Sequence, residues 1–195
     1  MLTIPVVAFG TTDKWEDPQW VKPMDKASMR ADFADWIDVV TEIVDMMQKP
    51  DIWALFEMPP APTYTKDRIC LLGDAAHAST PHQGAGAGMA IEDALVMSTL
   101  LGEVYRDGSA TKGGIEKAFG AYDKVRRPRS QKLVTTSKEM GELVEFQVPG
   151  IMDDEEKFVA NLSERFKWIW DADLDAHVKE AKEALKAGHT NGVTV

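Results

Sequence analysis

From Ile69 the chain passes from a short apolar run, Ile69-Cys70-Leu71-Leu72, into Gly73-Asp74-Ala75-Ala76-His77. A turn containing Pro81 follows, then Gly84-Ala85-Gly86-Ala87-Gly88, and then a helical pattern. An apolar tetrad stopped by glycine suits a buried strand of a parallel sheet. Glycines after it let a backbone approach a ligand with no side chain in the way. The first amides of the following helix have no intrahelical partner and lie at the positive end of its dipole. Such a turn suits a phosphate, a carboxylate or the electron-rich edge of a heterocycle. Asp74, just past the strand, is placed to accept hydrogen bonds from hydroxyls. The same small residues also suit plain close packing of a helix on a sheet, and the glycine run alone does not separate the two readings.

Around this stretch the periodicities predict a helix-rich α+β chain. Residues 2–9 read as a strand ending at Gly10, and 11–23 as a polar loop with packed aromatics. Apolar residues at Met29, Phe33, Trp36, Ile37, Val40, Val44 and Met47 predict one helix over 26–47, capped by Asp25 or Ser28. Residues 52–57 read as a strand, and Pro59-Pro60-Ala61-Pro62 as an extended connector. A helix is expected from about Gly88 with Ile91, Leu95, Val96, Thr99, Leu100 and Val104 on its buried side. A second is expected over 115–144, kinked or divided at Pro128, and two more over 153–167 and 172–185. Three regions follow from this reading: 1–60, 61–145 and 146–195.

Composition removes several classes of function. A net charge of −10 disfavours a nucleic-acid partner. No apolar run is long enough for a transmembrane helix, and the N-terminus lacks the basic start of a signal peptide. The single cysteine, Cys70, excludes an internal disulfide and reads as a small buried hydrophobe in a reducing, cytoplasmic compartment.

His77 and His82 flank the small-residue turn and are the candidate catalytic residues. With Asp74 and Ser79 they invite a Ser-His-Asp reading, but no G-x-S-x-G elbow is present. His77 reads rather as a structural histidine, and for His82 a position facing a substrate or the flavin stands as the alternative to a structural one. Their spacing matches no standard metal site, and no metal is expected. Arg126, Arg127 and Arg129 surround Pro128. They read as partners of local acids such as Asp123, with carboxylate or cofactor-phosphate binding as the alternative.

The whole string carries more than its glycines. Arg68 to His77, Pro81, residues 84–88 and Glu92-Asp93-Ala94 together resemble the second flavin-binding motif of the group A flavoprotein monooxygenases. The likeness is greatest to fungal salicylate-hydroxylase-like members. The lead-in Pro59-Pro60-Ala61-Pro62-Thr63-Tyr64 and the downstream Tyr122 and Arg126-Arg127-Pro128-Arg129 extend it. The resemblance implies FAD as cofactor and NAD(P)H as reductant, with a small aromatic substrate hydroxylated by the flavin and O2. It maps a ribityl or pyrophosphate contact onto Asp74 and a flavin-face proline onto Pro81. It maps the flavin pyrimidine edge onto Gly84, Ala85, Gly86, Ala87 and Gly88.

The family's fold also has a βαβ unit with G-x-G-x-x-G that holds the ADP half of FAD. The sequence contains no such element. The expectation is therefore a partial flavin-hydroxylase fold, completed by a homodimer partner or by a complementing N-terminal chain. Two other readings stand beside this one. One is a flavin-free isomerase, cyclase, lyase or small-molecule-binding protein that reuses the pocket. The other is an inactive fragment.

Overall fold

A computed structural model describes residues 14–151 and 154–190, with side chains to 187. The expected strand over residues 2–9 lies outside them. The chain forms two compact units, Met1–Leu55 and Phe56–Val195.

In the first unit, β1 (Val21–Pro23) pairs antiparallel with β2 (Asp51–Trp53), Lys22 opposite Ile52. The segment expected to be wholly loop thus supplies a strand, and the strand expected over 52–57 is shorter. Helices α1 (Lys26–Asp32) and α2 (Asp38–Met46) lie between them. Asp25 caps α1, its carboxylate accepting from the Ser28 amide at 2.9 Å. The single helix expected over 26–47 is divided. Phe33, Ala34 and Trp36 each donate to a carbonyl three residues back. Ile37 then turns extended, with ψ 153°. Only Met29 and Val44 of the expected apolar face are buried, while Trp36 and Ile37 are exposed. The burial that would hold one long helix together is therefore lacking within this unit.

The second unit opens with a hairpin of β3 (Thr65–Lys66) and β4 (Ile69–Cys70), with Lys66 opposite Ile69. Its two-residue turn is Asp67-Arg68, and Asp67 adopts φ 53°. Aspartate tolerates that conformation better than most residues. The expected parallel strand over 69–72 is thus the second arm of an antiparallel hairpin. Cys70 and Leu72 face the core, while Ile69 is 68% exposed. Burial pushes the Cys70 thiol up to about 12, which leaves it protonated and inert at neutral pH.

The core is helical. After the short α3 (Asp74–His77) and a 3-10 turn (Pro81–Gln83) come α4 (Gly86–Arg106) and α5 (Lys112–Val144). Then follow α6 (Glu155–Arg165), α7 (Lys167–Trp170) and α8 (Leu174–Thr190). Val96, Leu100 and Val104 of α4 meet Ala118, Ala121 and Tyr122 of α5, and Ala181 and Leu185 of α8 close the cluster. Tyr64 anchors the hairpin lead-in to α5. Its hydroxyl lies 2.9 Å from Ser130 Oγ, and its amide donates to Asp123 at 2.7 Å.

Pro128 does not divide α5. Its missing amide deprives the Lys124 carbonyl of a helical donor, but both residues are exposed, so that carbonyl is open to solvent. The buried face of α4 is rotated from the expected one. Met89, Asp93, Val96, Met97, Leu100 and Val104 are buried, whereas Ile91 is 70% exposed and Leu95 is also exposed. Among the described residues no helix is long and apolar enough to cross a membrane.

Candidate functional site

The glycine-rich stretch folds as three consecutive short devices. Gly73 caps α3 with φ 57° and ψ −142°, a conformation open to glycine and strained for other residues. Asp74 begins α3 with its side chain exposed, while Ala76 and His77 turn inward. The turn Pro81–Gln83 follows, and Gly84 closes it in the left-handed conformation, φ 61°. Ala85 stands at the helix cap and Gly86, Ala87 and Gly88 form the first turn of α4.

Two close approaches hold α3 against the start of α4. A Cβ built on Gly73 would lie 3.3 Å from Ala90 Cβ, and one on Gly86 would lie 3.4 Å from Ser79 Oγ. The turn is pinned to α5 as well. Ser137 Oγ donates to the Thr80 carbonyl at 2.6 Å, and the Gln83 side chain accepts from Thr136 at 2.7 Å. His82 rests its ring on the glycine face of α5, where a Cβ on Gly141 would come within 2.7 Å of it.

The start of α4 is open. No side chain caps it, and nothing lies within 4 Å of a Cβ built on Gly84 or Gly88. Gly84, Ala87 and Gly88 are exposed, as are Asp74 and Pro81. Open first-turn amides attract electron-rich atoms, and the nearby carboxylate accepts from hydroxyls. These residues fit the edge of a flavin and a polyhydroxylated chain.

Beneath this surface lies a buried charge network. Asp93, fully buried on α4, accepts from the Gly73 amide at 3.0 Å and lies 2.6 Å from His77 Nε2. It also accepts from Arg126 Nε at 2.8 Å. Arg126 is buried in α5 and donates further to Glu92 at 2.5 Å and to the Met89 carbonyl at 3.1 Å. Arg129 grips both oxygens of Glu92 at 2.8 Å. Of the three arginines, only Arg127 takes the expected local partner, Asp123, at 3.2 Å. The acid that holds His77 is Asp93 rather than Asp74. Burial pushes the Asp93 and Glu92 carboxyls up. The donors around each outweigh it, and both titrate below their ordinary ranges. Sequence reasoning missed Asp93 and Arg126 as a pair. The available signal was an adjacent Glu92-Asp93 on an apolar helix, with an arginine cluster downstream to balance it.

The network reaches α8 through His177, whose Nε2 lies 3.2 Å from Arg126 Nη1. Burial, then the charges of Arg126 and Arg129, lower the His177 pKa from its ordinary 6.5 against the opposing pull of Glu180 and Glu92. A lowered histidine contributes stability that is full above 6.5 and is lost as pH falls toward the folded value. The melting temperature is therefore expected to decline below pH 6.5 before the carboxylates titrate. His177→Gln is expected to flatten that part of the curve. An unchanged slope in thermal melts across this window would remove His177 from the account.

The family described as FAD binding domain matches residues 16–137. A salicylate hydroxylase of Pseudomonas putida is 39% identical over 176 residues, covering 90% of this chain and 40% of that protein. The 6-methylsalicylate 1-monooxygenase of Aspergillus terreus is 36% identical over 168 residues, covering 86% of this chain and 36% of that protein. Among solved structures, a salicylate hydroxylase substrate complex superposes with a TM-score of 0.77 at 41% identity, covering 86% of this chain and 40% of that one. The chain thus spans about two fifths of the length of these relatives. It is helix-rich with few strands, has FAD as its family's cofactor, and belongs to the FAD-binding domain family, alongside the salicylate-hydroxylase-like monooxygenases.

Proposed function

We propose that this chain forms the flavin-edge and substrate-side part of an FAD-dependent aromatic hydroxylase, whose dinucleotide-binding unit is supplied from outside these residues. The observation that carries the reading is the open, glycine-lined start of α4, in a unit that also exposes apolar side chains. Ile69 and Leu71 on the hairpin, and Ile91 and Leu95 on α4, face outward. Exposed apolar side chains suit contact with further protein. Bound FAD supplies the redox and oxygen chemistry, with NAD(P)H as reductant. This chain's residues bind and orient it. Asp74 would accept from hydroxyls of the ribityl chain, Pro81 would face the ring, and residues 84–88 would offer amides to its pyrimidine edge. His82 packs its ring against the glycine face of α5, and His77 serves the buried scaffold.

The test is a titration with FAD, followed by flavin absorbance, of the chain alone and mixed with a polypeptide carrying the G-x-G-x-x-G unit. Saturable binding only in the mixture, with NAD(P)H oxidation stimulated by a small aromatic acid, is the expected result. Binding by the chain alone, with a dimer in sedimentation, would instead make a second copy the completing partner. Absence of binding in both would overturn the reading.

Gly88→Ala separates binding from folding. Nothing lies within 4 Å of the added Cβ, and alanine favours a helix over glycine by about 1 kcal/mol. The melting temperature is expected to hold or rise while FAD affinity falls about tenfold, some 1.4 kcal/mol. Unchanged affinity would show that Gly88 does not face the flavin.

A further inference from the structure

We propose that Asp93 is a positioning residue, one that sets the direction of Asp74 and fixes it in register with the open start of α4. The inference rests on the flavin reading above for its consequence, but its geometry stands apart from any ligand. Asp74 has an exposed side chain, so little but its backbone can orient it. That backbone is held on both sides by one carboxylate. The residue before it, Gly73, donates its amide to Asp93 Oδ2 at 3.0 Å. The last residue of the same helical turn, His77, meets the same oxygen through Nε2 at 2.6 Å. Asp93 thus clamps the first and last links of the turn that displays Asp74.

The clamp has a fixed base. Asp93 lies on α4, whose first turn is Gly86, Ala87 and Gly88. Whatever moves the start of α4 along its axis moves Asp93 with it, and therefore moves Gly73 and Asp74. Arg126 holds the other oxygen at 2.8 Å and itself is tied to Glu92 and the Met89 carbonyl. The carboxylate cannot rotate away from the turn without giving up a buried guanidinium. His77 must carry its proton on Nε2 to serve this bond. Its Nδ1 is buried with no hydrogen-bond partner among the described residues, so Nε2 is the ring atom through which His77 is held.

The experiment uses the full chain and amide hydrogen exchange read by NMR. In the unmutated protein the Gly73 amide is expected to exchange as slowly as the core amides of α4. Its exchange at loop-like rates would overturn the proposal without any variant being made. Asp93→Asn is then compared with Glu92→Gln, which disturbs the same network from the same helix without touching Gly73 or His77. Asp93→Asn is expected to speed Gly73 exchange at least 100-fold relative to Leu100. Glu92→Gln is expected to lower the melting temperature while leaving that ratio within about threefold. Equal effects of the two variants would show a merely structural role and sink the idea. Where Asp93→Asn does not fold, His77→Gln supplies the same comparison from the other end of the clamp. In the FAD-binding preparation, Asp74→Ala and Asp93→Asn should not add: the double variant should bind FAD within twofold of Asp74→Ala alone. Additive losses would overturn the link to Asp74. Failure of every preparation to bind FAD would overturn the flavin reading and leave the exchange result to decide the clamp.

Discussion

Arg126→Ala is expected to lower the unfolding free energy by about 3–5 kcal/mol, the cost of leaving buried charges without their partner. The guanidinium is fully buried and donates to Asp93, Glu92 and the Met89 carbonyl. Glu92 keeps Arg129 after the change, but Asp93 keeps only the Gly73 amide and His77. An uncompensated carboxylate in a closed core then favours its protonated form. The destabilisation should therefore be greatest at neutral pH and should shrink as pH falls through the carboxylate range. Arg126→Lys keeps the charge and loses the planar fork, so a smaller loss is expected. Urea melts of the three proteins at neutral and acid pH check this. A loss for Arg126→Ala below about 1 kcal/mol would mean the network is no more than a surface ion pair in energy.

Gly73→Ala carries the second large effect, about 3 kcal/mol, and it acts through the backbone. At φ 57° and ψ −142° a side chain is strained by about 1–3 kcal/mol before any contact is counted. The added methyl would also press on Ala90 Cβ at 3.3 Å, in a helix that cannot give without moving Asp93. Relieving either strain turns the Gly73 amide away from the Asp93 carboxylate, a charged hydrogen bond of about 1.5–3 kcal/mol. Gly84→Ala is the matched comparison. Its backbone is also left-handed, but nothing lies within 4 Å of the new methyl, so about 1–2 kcal/mol is expected. Thermal melts in which Gly73→Ala is no worse than Gly84→Ala would show that Gly73 is not a structural pivot.

These sites show what patterning reveals and where it misleads. The long helices α4 and α5 were legible because their apolar residues recur at helical spacing, and the family was legible in the string of residues from Arg68 to Ala94. The face of α4 was misread because hydrophobicity alone sorts Ile91 inward and Asp93 outward. The reverse holds: Asp93 is buried because Arg126, on a helix distant in sequence, neutralises it. No local pattern contains that partner. The strand over 69–72 was misread because the turn residue Asp67 was passed over, although an aspartate between Lys66 and Arg68 suits a two-residue hairpin. The helix over 26–47 was drawn too long for a related reason. Its apolar spacing is real, but Trp36 and Ile37 have no burial within their own unit to enforce it.

Helix α8 has a consequence for the order of events during synthesis. Ala181 and Leu185 are the last members of a core whose other residues run from Tyr64 to Val125. His177 sits against Arg126, which waits beside Glu92 and Asp93 from far earlier in the chain. While the ribosome still holds residues 174–190, the hairpin and α4 can form only an unfinished core. Its seam remains wet, and its buried ions remain within reach of solvent. Such late closure lengthens the time that a nascent chain is open to chaperones and proteases. Among the described residues, α8 is the helix that ends that exposure.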